Sequence, residues 1–214
     1  MPRKKKKKTT KKKVKKKTRK KKVKLPDEIK PSQIILKSRL VYLYGAINNS
    51  TALNISKELL TLDKFEVKPI IMMINSGGGS IIDAFSIIDS MKGIRSPVVT
   101  LISGLAASAA GFISVCGDKK LMTENSFFMS HDGKAGVVDY FEKIYDQTEF
   151  IKKLQNRIMQ IYRNHTELTE KDLEKTRHGE LWLDSTQCLE KKVVDKVIGG
   201  INEGVWVWEE LEEY

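Results

Sequence analysis

The sequence predicts an α/β fold built on a mainly parallel β-sheet. Three apolar runs are each followed by a segment whose apolar residues recur at helical spacing. Each run and its following segment predict a strand and then a helix, at 40–62, 70–91 and 98–116. Repeated strand–helix units pack as parallel strands joined by right-handed crossovers. About 190 residues lie outside the basic N-terminus, which is enough for one domain with a sizeable core.

The predicted elements follow one another with short connections. In order they are strand Leu40–Tyr44, helix Ser50–Leu62, strand Ile70–Ile74, helix Ile81–Met91, strand Val98–Ile102, helix Ala107–Cys116, and short strands near Lys120–Met122 and Phe127–Ser130. A long amphipathic segment, about Val138–Asn164, comes next. Its apolar stripe needs a covering partner, which is either another subunit or the sheet of the same chain.

Charge is concentrated at the N-terminus. Residues 1–24 hold 17 of the 39 basic residues and no acidic one, which leaves 22 basic and 27 acidic residues in the rest of the chain. Self-repulsion and a lack of apolar residues predict disorder there. We expect non-specific contact with polyanions, although a solubilising or targeting tail fits equally. The predicted divisions are a basic tail and linker at 1–33, one domain at 34–200, and an acidic, aromatic tail at 201–214.

Composition argues against a secreted or membrane protein. No apolar segment follows the basic start, so no signal peptide is expected. The stretch 96–117 carries no charge, but its Gly, Ala, Ser and Thr content favours a buried strand and helix over a membrane span. Cys116 and Cys188 give no disulfide framework, so a reducing, cytoplasmic setting is the simplest expectation.

The segment Gly104-Leu-Ala-Ala-Ser108-Ala-Ala-Gly111 directly follows an apolar strand. It predicts a strand that turns into a helix with Ser108 at the turn, where the first N–H groups of the helix have no intrahelical partner. Those donors and the helix dipole favour an oxyanion on an attacked carbonyl. Ordinary strand–helix packing is the alternative interpretation of these small residues.

A second segment, Asn75-Ser-Gly-Gly-Gly-Ser80, also links a strand to a helix. Consecutive glycines allow positive φ and expose backbone N–H groups. No lysine follows as in a phosphate-binding loop, and the spacing does not fit a dinucleotide fingerprint. The segment is therefore either a plain turn or the source of one oxyanion-hole N–H.

His131 ends a further short apolar strand. His165 and His178, in contrast, lie among charged residues and are expected at the surface. A serine hydroxyl needs a base at neutral pH. Because His131 follows the serine turn in the sequence, the role of base is favoured for it over a place in the core.

With these motifs in place, the chain resembles the ClpP-type serine peptidases, the proteolytic subunits of Clp proteases, over roughly 34–200. The matching motifs are Asn75–Ser80, Gly104–Gly111, Met129–His131 and Glu180–Thr186. Gly77 replaces the family's proline, and Ala109 replaces its methionine. The resemblance implies a ClpP/crotonase-like α/β fold with a protruding handle helix.

The resemblance also implies roles for individual residues. Ser108 is then the nucleophile, His131 the general base and acid, and Gly79 and Ala109 the donors of the oxyanion hole. The third member of the triad falls on Glu180, where the family usually has aspartate. Either carboxylate can orient a histidine, but the extra methylene requires a backbone adjustment. Asp184 is the fallback, and a plain surface charge is the alternative for Glu180.

The expected function is a self-compartmentalising serine endopeptidase that needs no metal or organic cofactor. By resemblance its partners are peptide substrates, copies of itself in two stacked heptameric rings (a tetradecamer), and an AAA+ unfoldase. Two alternatives remain open. A crotonase-like acyl-CoA enzyme shares the architecture and the two-amide oxyanion hole, and a weak or inactive ring subunit would act as a scaffold through its basic tail.

Overall fold

The structure is a computed structural model, which describes residues 38–133 and 141–199. The strands are β1 (Leu40–Ile47), β2 (Ile70–Gly79), β3 (Val98–Ala107), β4 (Lys119–Thr123), β5 (Phe127–His131), β6 (Glu180–Leu183) and β7 (Lys196–Ile198). The helices are α1 (Asn49–Phe65), α2 (Ile81–Gly93), α3 (Ala109–Ser114), α4 (Phe141–His165), α5 (Glu170–His178) and α6 (Ser185–Glu190).

These seven strands form one sheet, which is mainly parallel as predicted, although β6 and β7 were not among the predicted strands. The order β1-β2-β3-β4-β7 is parallel throughout, while β5 joins β3 in parallel and β6 joins β5 antiparallel. The predicted strand–helix units at 40–62, 70–91 and 98–116 are all present. The α/β fold class is therefore confirmed.

Strand β3 is shared between two neighbours. Its first half, Val99–Ile102, pairs with β4, and its second half, Leu105–Ala107, pairs with β5. The branch occurs at Gly104, which has a φ of 110°. Because the sheet divides there, the last residues of β3 turn toward β5 and carry Ser108 with them.

Most of the core lies between the sheet and its helices. The side chains of β1, β2 and β3 that face α1, α2 and α3 are almost completely buried, among them Leu43, Met72 and Ile102. A smaller apolar cluster covers the opposite face of the sheet. Its members are Ile71, Met73, Val99, Leu101, Leu121 and Ile198.

The charge-free stretch 96–117 is divided between β3 and α3, rather than forming one long helix. No helix within the described ranges combines the length and the apolarity that a membrane span requires. Cys116 and Cys188 are both free thiols and both buried. Burial raises the pKa of Cys116 to about 11 and that of Cys188 to about 12, so both are poor nucleophiles near neutral pH.

Helix α4 has two different halves. Its C-terminal half contributes Ile158, Met159 and Tyr162 to the core. Its N-terminal half exposes Tyr145 and Phe150, which are 67% and 53% accessible. The start of the predicted amphipathic segment, at 138–140, lies outside the described residues, as do the tails 1–37 and 200–214.

Candidate active site

Ser108 occupies a strained turn between β3 and α3. Its φ of 55° and ψ of −121° lie in a region that residues with a side chain seldom adopt. Such a turn between a strand and a helix presents a serine hydroxyl away from the backbone. The Ser108 N–H donates to the carbonyl of Met129 at 2.9 Å, and the side chain makes no capping bond to α3. The hydroxyl is therefore not used by the helix that it precedes.

The glycine segment packs directly against this serine. Gly78 has a φ of 92°, and a Cβ at this position would lie 2.7 Å from the Ser108 Cβ and 2.8 Å from the Ala109 nitrogen. Gly79 has a φ of 153°, and a Cβ there would collide with the backbone of Ile47. Only glycine fits at either position without a shift of backbone. Rather than forming a plain turn, the segment continues β2 to Gly79.

His131 and Glu180 are brought together by the pairing of β5 with β6. They are directly opposite each other in the antiparallel ladder, so their side chains start from the same face of the sheet. That face is the more accessible one, because Phe128, Ser130, Leu181 and Leu183 point the other way and are buried. The two residues are almost fifty positions apart in the sequence, and the strand register brings them side by side.

Strand β5 also connects His131 to the serine turn. Ala107 pairs with Met129 in the parallel ladder between β3 and β5, so Ser108 and His131 follow closely on neighbouring strand ends. Ser108, His131 and Glu180 thus occupy one end of three adjacent strands. Within the described residues, the Glu180 carboxylate is hydrogen-bonded to Trp182 and not to His131. Bonds between catalytic side chains are often loose before substrate binds.

Comparison with known proteins relates this chain to the Clp proteases. The family model for Clp protease matches residues 23–200. The ATP-dependent Clp protease proteolytic subunit 1 of Protochlamydia amoebophila is 32% identical over 185 residues, which cover 84% of this chain and 89% of that protein. This chain belongs to the Clp protease family.

Two further matches support the assignment. The ATP-dependent Clp protease proteolytic subunit of Deinococcus radiodurans is 29% identical over 77% of this chain and 82% of its own length. The solved structure of a ClpP1 mutant from Listeria monocytogenes superposes with a TM-score of 0.72 at 26% identity, and covers 80% of this chain and 97% of its own. These matches confirm the resemblance to the ClpP-type peptidases. They give no support to the alternative of an acyl-CoA enzyme.

Membership makes this Clp protease chain a serine-type endopeptidase of the proteolytic-subunit class. The mixed α/β architecture agrees with the ClpP fold.

The fallback acid, Asp184, has a structural role in this Clp protease. It is the N-cap of α6, and its carboxylate accepts from the Gln187 N–H at 2.8 Å. It follows Leu183, whose partner across the ladder is Phe128, at the far end of β6 from the His131 pair. Of the two predicted acids, Glu180 is therefore the one that lies opposite His131.

The other histidines do not approach this arrangement. His178 is exposed, as expected. His165 is half-buried instead of fully solvated, because it ends α4 against the body of the domain. Burial, together with the charges of Lys92 and Lys120, lowers the pKa of His165.

Several supporting residues were missed by sequence reasoning. Asn75 accepts from the Leu105 N–H at 3.2 Å, and Ser126 accepts from the Gly104 N–H at 2.7 Å, so both hold the branch of β3 that precedes Ser108. Asp132, next to His131, accepts from Gln155 on α4 at 2.6 Å. Asn75 belongs to the glycine motif, which is a usable sequence signal. Ser126 and Asp132 instead make contacts between segments that are far apart in the sequence, and no sequence motif marks them.

Proposed function

We propose that this Clp protease chain is a catalytically competent serine endopeptidase that works through an acyl-enzyme. Ser108 is the nucleophile, His131 the general base and acid, and Glu180 the acid that orients the imidazole. Gly79 and Ala109 donate the two N–H groups of the oxyanion hole. The observation that best supports the proposal is the strained Ser108 turn, against which Gly78 packs at the N-terminus of α3.

The reaction then has two balanced halves. The Ser108 Oγ attacks the peptide carbonyl carbon while His131 takes the hydroxyl proton, and the oxyanion accepts bonds from the two amides. The imidazolium gives its proton to the leaving nitrogen as the C–N bond breaks, which leaves an ester on Ser108. Water attacks the ester with His131 as base, and Ser108 regains its proton as the acid product leaves.

Ala109 is suited to an oxyanion because of its position. It is the first residue of α3 and follows the serine directly, so its N–H belongs to the group that has no partner inside the helix. The Gly78 N–H, by contrast, is already donated to the Ser76 hydroxyl at 3.0 Å. This bond favours Gly79 over Gly78 as the second donor.

We also propose that the chain assembles as stacked heptameric rings and receives substrates from an AAA+ unfoldase. The names of the relatives describe ATP-dependent proteases, which agrees with a separate ATPase partner. The exposed aromatic side chains on the first half of α4 suit contact with a second ring. The basic segment 1–24 contacts polyanions in this proposal, and the buried free cysteines suit a cytoplasmic location.

The function is tested by hydrolysis of short fluorogenic peptides. Ser108→Ala and His131→Ala should each lower kcat by at least about a thousandfold. Ser90→Ala on α2 is the matched control and should retain wild-type activity. Equal activity in Ser108→Ala and wild type would contradict the proposal.

An inactive scaffold subunit is the second candidate, and one observation favours it. Glu180 stands where the family usually has aspartate, and its longer side chain changes the reach of the carboxylate toward His131. A wild-type chain that assembles into rings but cleaves no peptide would support this candidate. Peptide cleavage that survives deletion of residues 1–24 and is lost in His131→Ala would exclude it.

A further inference from the structure

Four side chains share the accessible face where β5 meets β6. His131 is opposite Glu180, and Met129 is opposite Trp182, two residues further along both strands. Opposite residues in an antiparallel pair start about 5 Å apart, and residues two apart on one strand share its face. The indole of Trp182 therefore starts from the same face of the sheet as the side chains of Glu180 and His131.

The indole and the carboxylate are joined by a hydrogen bond. The Trp182 Nε1–H donates to the Glu180 Oε2 at 2.9 Å, which is within the ordinary range for a bond to an ionised acceptor. An indole nitrogen can only donate, and an ionised carboxylate can only accept. The bond uses Oε2, and no other described residue within 38–133 and 141–199 donates to Oε1.

This bond restrains a side chain that would otherwise be mobile. Glu180 is exposed, and a glutamate has one more rotatable bond than the aspartate usual at this position. A carboxylate on such a chain samples several rotamers at the surface and loses entropy when it is fixed. Trp182 is exposed, at 49% accessibility, but it has only two side-chain torsions and so loses less conformational entropy than Glu180 when the bond forms.

We propose that Trp182 is a positioning residue, which holds Glu180 beside His131 through its indole N–H. The inference rests on the proposed triad and deepens it. This role requires no contact between Trp182 and the substrate or the reacting atoms. It acts by raising the fraction of time in which the second carboxylate oxygen of Glu180 faces the imidazole.

The test replaces the indole by a ring that lacks the donor. Trp182→Phe should lower kcat by about three- to tenfold and leave KM unchanged, because only orientation of the triad is affected. Phe127→Leu is the matched control, since Phe127 lies on the same face of β5 and is also 49% accessible. The control should retain wild-type kcat, and both variants should keep the wild-type Tm.

The decisive comparison makes the same Trp182 substitution in a protein that lacks the Glu180 carboxylate. In a Glu180→Ala background, Trp182→Phe should alter kcat by less than about twofold, since coupled residues are not additive. An equal loss in both backgrounds, or an effect no larger than that of Phe127→Leu, would overturn the inference and leave the proposed function standing. A wild-type chain that does not react with a fluorophosphonate probe would instead overturn both.

Discussion

Ser108 and Glu180 lie at the two ends of the candidate triad and are held by different kinds of contact. Ser108 is fixed by backbone: its N–H is bonded to Met129, and the Gly78 segment packs against it. Among the described residues, the Glu180 side chain is held by one hydrogen bond at the surface, from Trp182. The serine end is therefore rigid and intolerant of substitution, while the acid end is adjustable. Substitutions at the two ends should therefore differ in their effects.

The largest effect is expected at the serine end. Gly78→Ala places a Cβ 2.7 Å from the Ser108 Cβ and from the Ala107 carbonyl oxygen, at a φ of 92°. Relief of this overlap must displace the serine turn, so we expect kcat/KM for peptide hydrolysis to fall about a thousandfold. The strain should also lower the free energy of unfolding by about 1–3 kcal/mol.

Gly77→Ala is the matched control for this prediction. A Cβ at position 77 meets no heavy atom within 4 Å, so activity and thermal stability should stay close to those of wild type. Similar losses in the two variants would show that the segment is merely sensitive to any substitution. The rigid contact with Ser108 would then have no special role.

A smaller loss is expected at the acid end. Glu180→Ala should lower kcat about a hundredfold, below the roughly 10⁴-fold loss known for a buried triad acid. Glu180 is exposed, so water can take over part of its interaction with the imidazole. Peptide hydrolysis measures the loss, and Glu174→Ala, at an exposed glutamate of α5, serves as the control. A loss greater than that of Gly78→Ala would reverse the comparison between the two ends.

The smallest effect on activity is expected for Asp63, which is bonded to Ser96 and Arg95 at the end of β3 that lies away from Ser108. Burial acts to raise the pKa of Asp63, but hydrogen bonds from Ser96 and Arg95 outweigh burial and lower this pKa below its usual value. A lowered pKa in the folded state contributes stability above the unfolded pKa, and this stability is lost as the pH falls through the folded value. Asp63→Asn should therefore lower Tm at pH 7 and leave kcat unchanged.

The pH dependence provides the check on Asp63. The Tm difference between wild type and Asp63→Asn should narrow below about pH 4, where the carboxyl is protonated in the unfolded chain. Thermal unfolding from pH 3 to pH 7 measures it. A difference that is independent of pH would mean that the carboxylate charge does not stabilise this end of the strand.

Much of the sheet could be predicted from the sequence, because buried parallel strands are uninterrupted apolar runs. Ile70–Ile74 and Val98–Ile102 were recognised for this reason. Their continuations to Gly79 and Ala107 were not, since glycine, serine and alanine have low strand propensity and extend only because neighbouring strands pair with them. Helix α5 was also missed, although Thr169 and Asp172 form a capping box at its start.

The candidate site shows the same division between local and distant information. The position of Ser108 between a strand and a helix was predicted correctly, because the small residues around it form one continuous motif. The pairing of His131 with Glu180 depends on the register of β5 and β6, which spacing in the sequence does not encode. The bond from Trp182 to Glu180 is local, but only an assigned strand places residues 180 and 182 on one face.

The central claim is that Ser108 is the nucleophile, and covalent labelling tests it most directly. The full chain is treated with a fluorophosphonate probe, and the adduct is located by mass spectrometry of peptides. The account predicts one adduct on Ser108 in wild type and none in Ser108→Ala. An unlabelled wild-type chain, or equal labelling of both proteins, would contradict it.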